Sequence, residues 1–83
     1  MSFFWLKCFV SKGMFSDELA IKVSALRGEE LSVFVPRAEV EGGVDQPGKV
    51  RVRVFHQDKT AWAVLPTENR ATIPVKDADL VAA

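Results

Sequence analysis

The sequence predicts an all-β fold: one small domain of six short strands, closed into a barrel or a strongly curved sheet. Three observations predict it. Residues 49–66 read KVRVRVFHQDKTAWAVLP, where Val50, Val52 and Val54 alternate with Lys49, Arg51 and Arg53. A two-residue period puts the valines on one face of a strand and the charges on the other. Similar alternating runs recur along the chain, separated by glycine, proline and aspartate turn signals. The second half also repeats the pattern of the first. Six strands in 83 residues cannot stay open with bare edges, and closure or curvature hides them.

Taken in order, residues 3–10 (FFWLKCFV) put Leu6, Cys8 and Val10 on one face and Trp5, Lys7 and Phe9 on the other. Residues 11–17 form a loop around Gly13, whose Met14 and Phe15 are expected to fold back over one barrel end. Residues 18–26 alternate again, with Leu19, Ile21, Val23 and Ala25 facing inward. Arg27, Gly28 and Glu29 make a tight turn. Leu31, Val33 and Val35 form the third strand, stopped by Pro36. Residues 36–40 (PRAEV) suit one helical turn, since proline is tolerated at a first helical position. Asp45, Gln46, Pro47 and Gly48 read as the mid-chain turn and the best place for an insertion.

The hairpin of residues 49–66 turns at His56–Thr60 and returns through residues 61–65. Residues 71–75 are the last strand. Pro74 within it argues for a sheet edge. A short turn at residues 76–79 leads to Leu80, which closes the core. The expected inner set is Leu6, Cys8, Val10, Leu19, Ile21, Val23, Leu31, Val33, Val35, Val50, Val52, Val54, Ala63, Leu65, Ile73, Val75 and Leu80.

The halves, about 3–42 and 49–81, match at an offset of forty residues. LSVFVPRAEV falls on ATIPVKDADL, so Val33 meets Ile73, Val35 meets Val75 and Val40 meets Leu80. The same offset places Ile21, Val23 and Ala25 on Ala61, Ala63 and Leu65. Four residues further, Leu6, Cys8 and Val10 fall on Val50, Val52 and Val54. Each half reads strand, strand, strand, helical turn, which predicts a pseudo-twofold arrangement in an SH3-like or related small barrel.

The run WLKCFVSKGMFSDELA, followed by LSVFVPRAEVEG, VRVRVF, AVLP and ATIPVKDADLV, resembles a group of short uncharacterised bacterial proteins. They share a WLK start, a GMFS-type loop, an SLFVP strand and a valine-rich hairpin ending in LP. The resemblance covers nearly the whole chain. It implies a small all-β domain and supplies no function, cofactor or site residue. Small SH3-like barrels host many unrelated roles.

Composition narrows the function classes. Eleven Lys and Arg balance eleven Asp and Glu, and residues 1–42 and 43–83 carry −1 and +1. A polyanion-binding protein usually shows a basic excess, so global charge argues against nucleic acid. Cys8 is the only cysteine and His56 the only histidine, so neither a disulfide nor a cysteine-built metal site is expected. Cys8 lies on the apolar face and reads as a buried small hydrophobe. No nucleophile elbow, phosphate-binding loop or calcium loop is present in the sequence. The chain is therefore expected to be no enzyme and to need no cofactor or metal. The apolar start MSFFWLKCFV is interrupted by Lys7 and is too short to span a bilayer. A cytoplasmic location is the expectation, with no membrane partner.

What remains is a surface. Lys49, Arg51, Arg53 and Phe55 share the outer face of one strand, Trp5, Lys7 and Phe9 that of its counterpart, and Trp62 falls on the outer parity of its own. Trp, Phe and Arg anchor protein interfaces. An unpartnered patch of Phe3, Trp5 and Phe9 is one that a small monomer rarely leaves bare. The leading expectation is a non-enzymatic interaction module, its partner another protein or a second copy in a homodimer. The alternative is RNA or single-stranded DNA, held by bases stacking on aromatics between phosphate-binding cations.

Overall fold

A computed structural model describes residues 2–83. The alternating runs form β1 (Ser2–Lys12), β2 (Glu18–Ser24), β3 (Glu30–Pro36), β5 (Gln46–Gln57), β6 (Thr60–Val64) and β7 (Thr72–Val75). Two shorter strands, β4 (Val40–Glu41) and β8 (Leu80–Ala82), each follow a 3-10 turn, at Arg37–Glu39 and Asp77–Asp79. All eight belong to one antiparallel sheet in the order β3-β2-β1-β5-β6-β7, with β4 beside β5 and β8 beside β1. The expected all-β curved sheet is present. The six expected strands are there, and two short strands join them.

β1 and β5 are the spine. They pair over nine positions, from Ser2 opposite Val54 to Val10 opposite Gln46. An eleven-residue strand is about 36 Å long, and the molecule measures 38 × 21 × 21 Å. Each spine strand changes partner along its other edge. β5 pairs with β4 through Val50 and Lys49, then with β6 from Arg53 onward. β1 pairs with β8 through Phe4, Trp5 and Leu6, then with β2 from Phe9 onward. The sheet thus curls twice, once round each end of the spine. The two curls meet where the Leu26 amide donates to the Pro74 carbonyl, 2.8 Å away.

The pairing obeys a pseudo-dyad through the Leu6–Val50 pair. Turning about it carries Val40 opposite Val50 onto Leu80 opposite Leu6. It also carries Phe9 opposite Lys22 onto Arg53 opposite Val64. This corrects the alignment of the second strands. Leu19, Ile21 and Val23, not Ile21, Val23 and Ala25, correspond to Ala61, Ala63 and Leu65. A shift of two keeps every side chain on its face, so alternation alone is blind to it.

The core holds Leu6, Cys8, Val10, Leu19, Ile21, Val23, Val35, Val50, Val52, Val54, Ala63, Leu65 and Val75, as expected. Ala61 joins it as the counterpart of Leu19, and Ala25 is buried beside it. Leu31, Val33, Ile73 and Leu80 pack against this core only half-buried, because they lie on edge or short strands. Three local expectations are overturned. Gln46, Pro47 and Gly48 are not a turn but the start of β5, opposite Val10, Phe9 and Cys8. A Cβ at Gly48 would meet the Glu41 carbonyl oxygen at 2.5 Å, so glycine serves the close approach of β4. The chain reverses earlier, with Asp45 at φ 62° and its amide on the Val10 carbonyl at 2.8 Å.

The hairpin turn is also tighter than expected. His56 and Gln57 continue β5, and only Asp58 and Lys59, both at positive φ, make the reversal. Two positive-φ residues match the twist of the flanking strands. Met14 and Phe15 cover nothing: they are 74% and 69% exposed. Pro74 does sit on an edge strand, where its missing donor costs no ladder bond.

Val52 is 1% exposed at the centre of this core. Val52→Asp buries an unpaired carboxylate, which costs several kcal/mol against a total stability of about 5–10 kcal/mol. The variant is expected to lose its cooperative thermal transition by circular dichroism. A soluble Val52→Asp protein that melts cooperatively would refute the core assignment.

Candidate functional site

The spine brings the two expected surfaces together. Because β1 and β5 are neighbours, Trp5 lies opposite Arg51, Lys7 opposite Lys49, and Phe3 opposite Arg53. Phe9 stands opposite Pro47. Phe55 pairs with Trp62 on β6, and their rings stack with centroids 6.5 Å apart and planes 10° from parallel. All eight expected residues therefore share the outer face of the central strands. Phe3 and Phe9 are 44% and 42% exposed on it.

The cations are not free. The Arg51 guanidinium lies 4.3 Å from the Phe3 ring centroid, and that of Arg53 lies 5.2 Å from the same ring. Lys49 Nζ sits 5.2 Å above the Trp5 ring. Such contacts hold the charge over the aromatic quadrupole while the stems cover its edges. Two carboxylates that the sequence reading did not place here complete the face. Glu39 Oε2 lies 3.7 Å from Arg51 Nε, and Glu41 Oε1 lies 3.9 Å from Lys49 Nζ. Lys49 faces the like charge of Lys7 across the strand pair, a destabilising arrangement that Glu41 relieves. Glu39 and Glu41 reach the face only because the first 3-10 turn folds β4 back onto β5.

A notch of about 370 Å³ opens where β5 passes from β4 to β6. Phe3, Glu39, Arg51 and Arg53 line it together with Pro66 and Arg70 of the loop after β6. Arg70 is a site residue that the sequence reading missed. It sits in an isolated turn, and the curl brings it to the same notch as Arg53. The Trp62 indole N–H is buried with no hydrogen-bond partner among the described residues. Its ring serves the stack with Phe55 and leaves the donor unpaired.

Cys8 is 9% exposed beneath this face, and burial pushes its thiol up to about 11. His56 is exposed, with Nε2 3.6 Å from Asp77 Oδ1. Among the described residues no three His, Cys, Asp or Glu side chains gather as a metal site, and no helix is long and apolar enough to cross a membrane.

Fold and face together define a small all-β protein with a twice-curled sheet and an aromatic, charge-paired strand face. No protein-family model, curated protein or solved structure matches the chain.

The buried thiol makes a direct prediction. Cys8 is expected to resist alkylation at neutral pH in the native protein and to react fast in denaturant. The unfolded thiol, with its ordinary value of 9.0, ionises before the folded one at about 11. The native state then holds the extra proton, so stability falls as pH rises between those values. Cys8→Ala is expected to remove that part of the alkaline loss in denaturant titrations.

Proposed function

We propose that the protein is a non-enzymatic interaction module whose working surface is the outer face of β1 and β5. The observation that carries this reading is the composition of that face. Phe3, Trp5 and Phe9 stand in line on one strand, and on the adjoining strand Arg51 is paired with Glu39 and Lys49 with Glu41. Aromatics beside the charge-compensated Lys49 and Arg51 suit a protein partner, where unpaired charge is costly to bury. A polyanion groove needs the opposite, cations left free for phosphates.

A second copy is the simplest partner. Two such faces brought together about a twofold axis that runs across the strands set the Phe9 end of one against the Arg53 end of the other. Aromatic then meets guanidinium twice, as an isologous interface requires. The SH3-like identity and the kinship with short bacterial proteins belong to this reading too, as does a cytoplasmic location. Small barrels commonly serve as binding modules, and a twice-curled sheet closed through 3-10 turns suits that architecture. RNA or single-stranded DNA is the second reading, favoured by the cations interleaved with Trp5 and Phe3.

Sedimentation equilibrium from about 1 µM to about 1 mM, a range spanning weak self-association, tests the interface. The wild-type protein is expected to dimerise, and Trp5→Ala with Phe9→Ala to remain monomeric with its thermal transition intact. A wild-type protein that stays monomeric throughout would rule out self-association. In tryptophan-fluorescence titrations with short RNA and single-stranded DNA, no change is expected up to about 100 µM, the upper range of non-specific affinities. Quenching that weakens steeply with salt, and is lost in Arg51→Ala with Arg53→Ala, would instead establish the nucleic-acid reading.

A further inference from the structure

The pseudo-dyad supplies an internal control for the notch. Because β1 and β5 correspond, the fold builds the same backbone step twice. It occurs where β5 leaves β4 for β6, and again where β1 leaves β8 for β2. The side chains at the two steps differ. The first carries Arg51, Arg53, Arg70 and Glu39, a formal +2 from three positive and one negative side chain. At the corresponding positions the second carries Lys7, Phe9, Glu30 and Asp79, with Lys22 where the first has Val64. Its two positive and two negative side chains sum to zero. The backbone is satisfied by either set, so the three arginines are not a requirement of the fold.

The side chains of Arg51 and Arg53, and the backbone of Arg70, are also held in place. Arg51 and Arg53 rest on one ring, that of Phe3, which keeps two like charges side by side. Arg70, which lines the same notch, has φ 52° within a loop braced by its own hydrogen bonds. The Arg70 amide donates to the Thr67 carbonyl at 3.0 Å, the Ala71 amide to Thr67 Oγ1 at 2.8 Å, and Thr72 Oγ1 to the Arg70 carbonyl at 3.1 Å. Glu39 offsets only one of the three charges, at 3.7 Å from Arg51.

The geometry points to this notch as an oxyanion site for a small phosphomonoester, its phosphate held by Arg51, Arg53 and Arg70 and its organic group against Phe3 and Pro66. A phosphomonoester carries about −1.5 to −2 at neutral pH and three acceptor oxygens, which complements the +2 of the lining. Guanidinium forks bind such oxygens in pairs, an arrangement that a carboxylate uses only once. A cavity of about 370 Å³ exceeds what a bare ion fills, and its apolar walls suit the esterified group. The site does not depend on self-association. The Trp5→Ala, Phe9→Ala protein, which removes neither an arginine nor Phe3, allows it to be measured alone.

Titration of the ¹⁵N-labelled protein, followed by amide chemical shifts, tests the site. The probes are inorganic phosphate and phenyl phosphate, with sodium chloride at matched ionic strength as the blank. Saturable shifts are expected at Phe3, Arg51, Arg53 and Arg70, with phenyl phosphate binding several-fold more tightly. Arg53→Gln and Arg70→Gln are each expected to weaken it about tenfold, the loss typical of a charged hydrogen bond. Lys22→Gln, at the matching step, is expected to leave it unchanged. Both arginines are exposed, so the variants are expected to keep their melting transition. Equal affinity for the two probes would overturn the ester assignment. Shifts no larger than those with chloride, or shared equally with Lys7 and Lys22, would overturn the site.

Discussion

The nine-pair ladder between β1 and β5 is the constraint on which the rest of the molecule depends. It joins the first strand of each half directly, so the halves share their longest strands. The Leu6–Val50 pair at its centre is fully buried, with both residues at 0% exposure. Each spine strand is longer than any partner along its other edge, so that edge must be covered by two partners in succession. The 3-10 turns after β3 and β7 supply the second partner, because Pro36 and Lys76 enter them extended and Val40 and Leu80 leave them extended. Curvature, edge protection and the step between partners all follow from one pairing.

The same ladder creates the surface chemistry. Alternation on two adjacent strands puts Trp5, Phe3 and the cations of β5 in one field, and the folding back of β4 brings Glu39 and Glu41 to its border. The result is a face where aromatic rings carry the guanidiniums and carboxylates temper them. The excess of charge is greatest at the step beside Arg70. The pseudo-dyad repeats the backbone there but not the charge, which separates what the fold needs from what the side chains add.

Much of this was legible in the sequence. The valines at 50, 52 and 54 and the apolar residues at 6, 8 and 10 gave the core, and the same parity gave the outer face. Alternation reports a face but not a register, so the two-residue slip between β2 and β6 left no trace in it. Ala61 shares the inner parity of Ala63 but stayed out of the expected inner set, because alanine marks neither face strongly. Strands of two and three residues carry no periodic signal, which hid β4 and β8. Pro47 and Gly48 read as a turn by composition. Their position in β5 rests on tertiary packing against Glu41 and Val10. Glu39 and Arg70 joined the site through the curl, a long-range effect that no local pattern contains.

If the β1–β5 ladder holds both curls in one cooperative unit, native-state hydrogen exchange gives the most direct test. The bonded amides of β1 and β5 near Leu6 and Val50 are expected to exchange slowest, and only through global unfolding, while those of the edge strands β3 and β7 open earlier. Both halves would then share one limiting free energy. Spine amides that exchange no more slowly than those of β3 or β7, or two halves that open independently, would contradict the account.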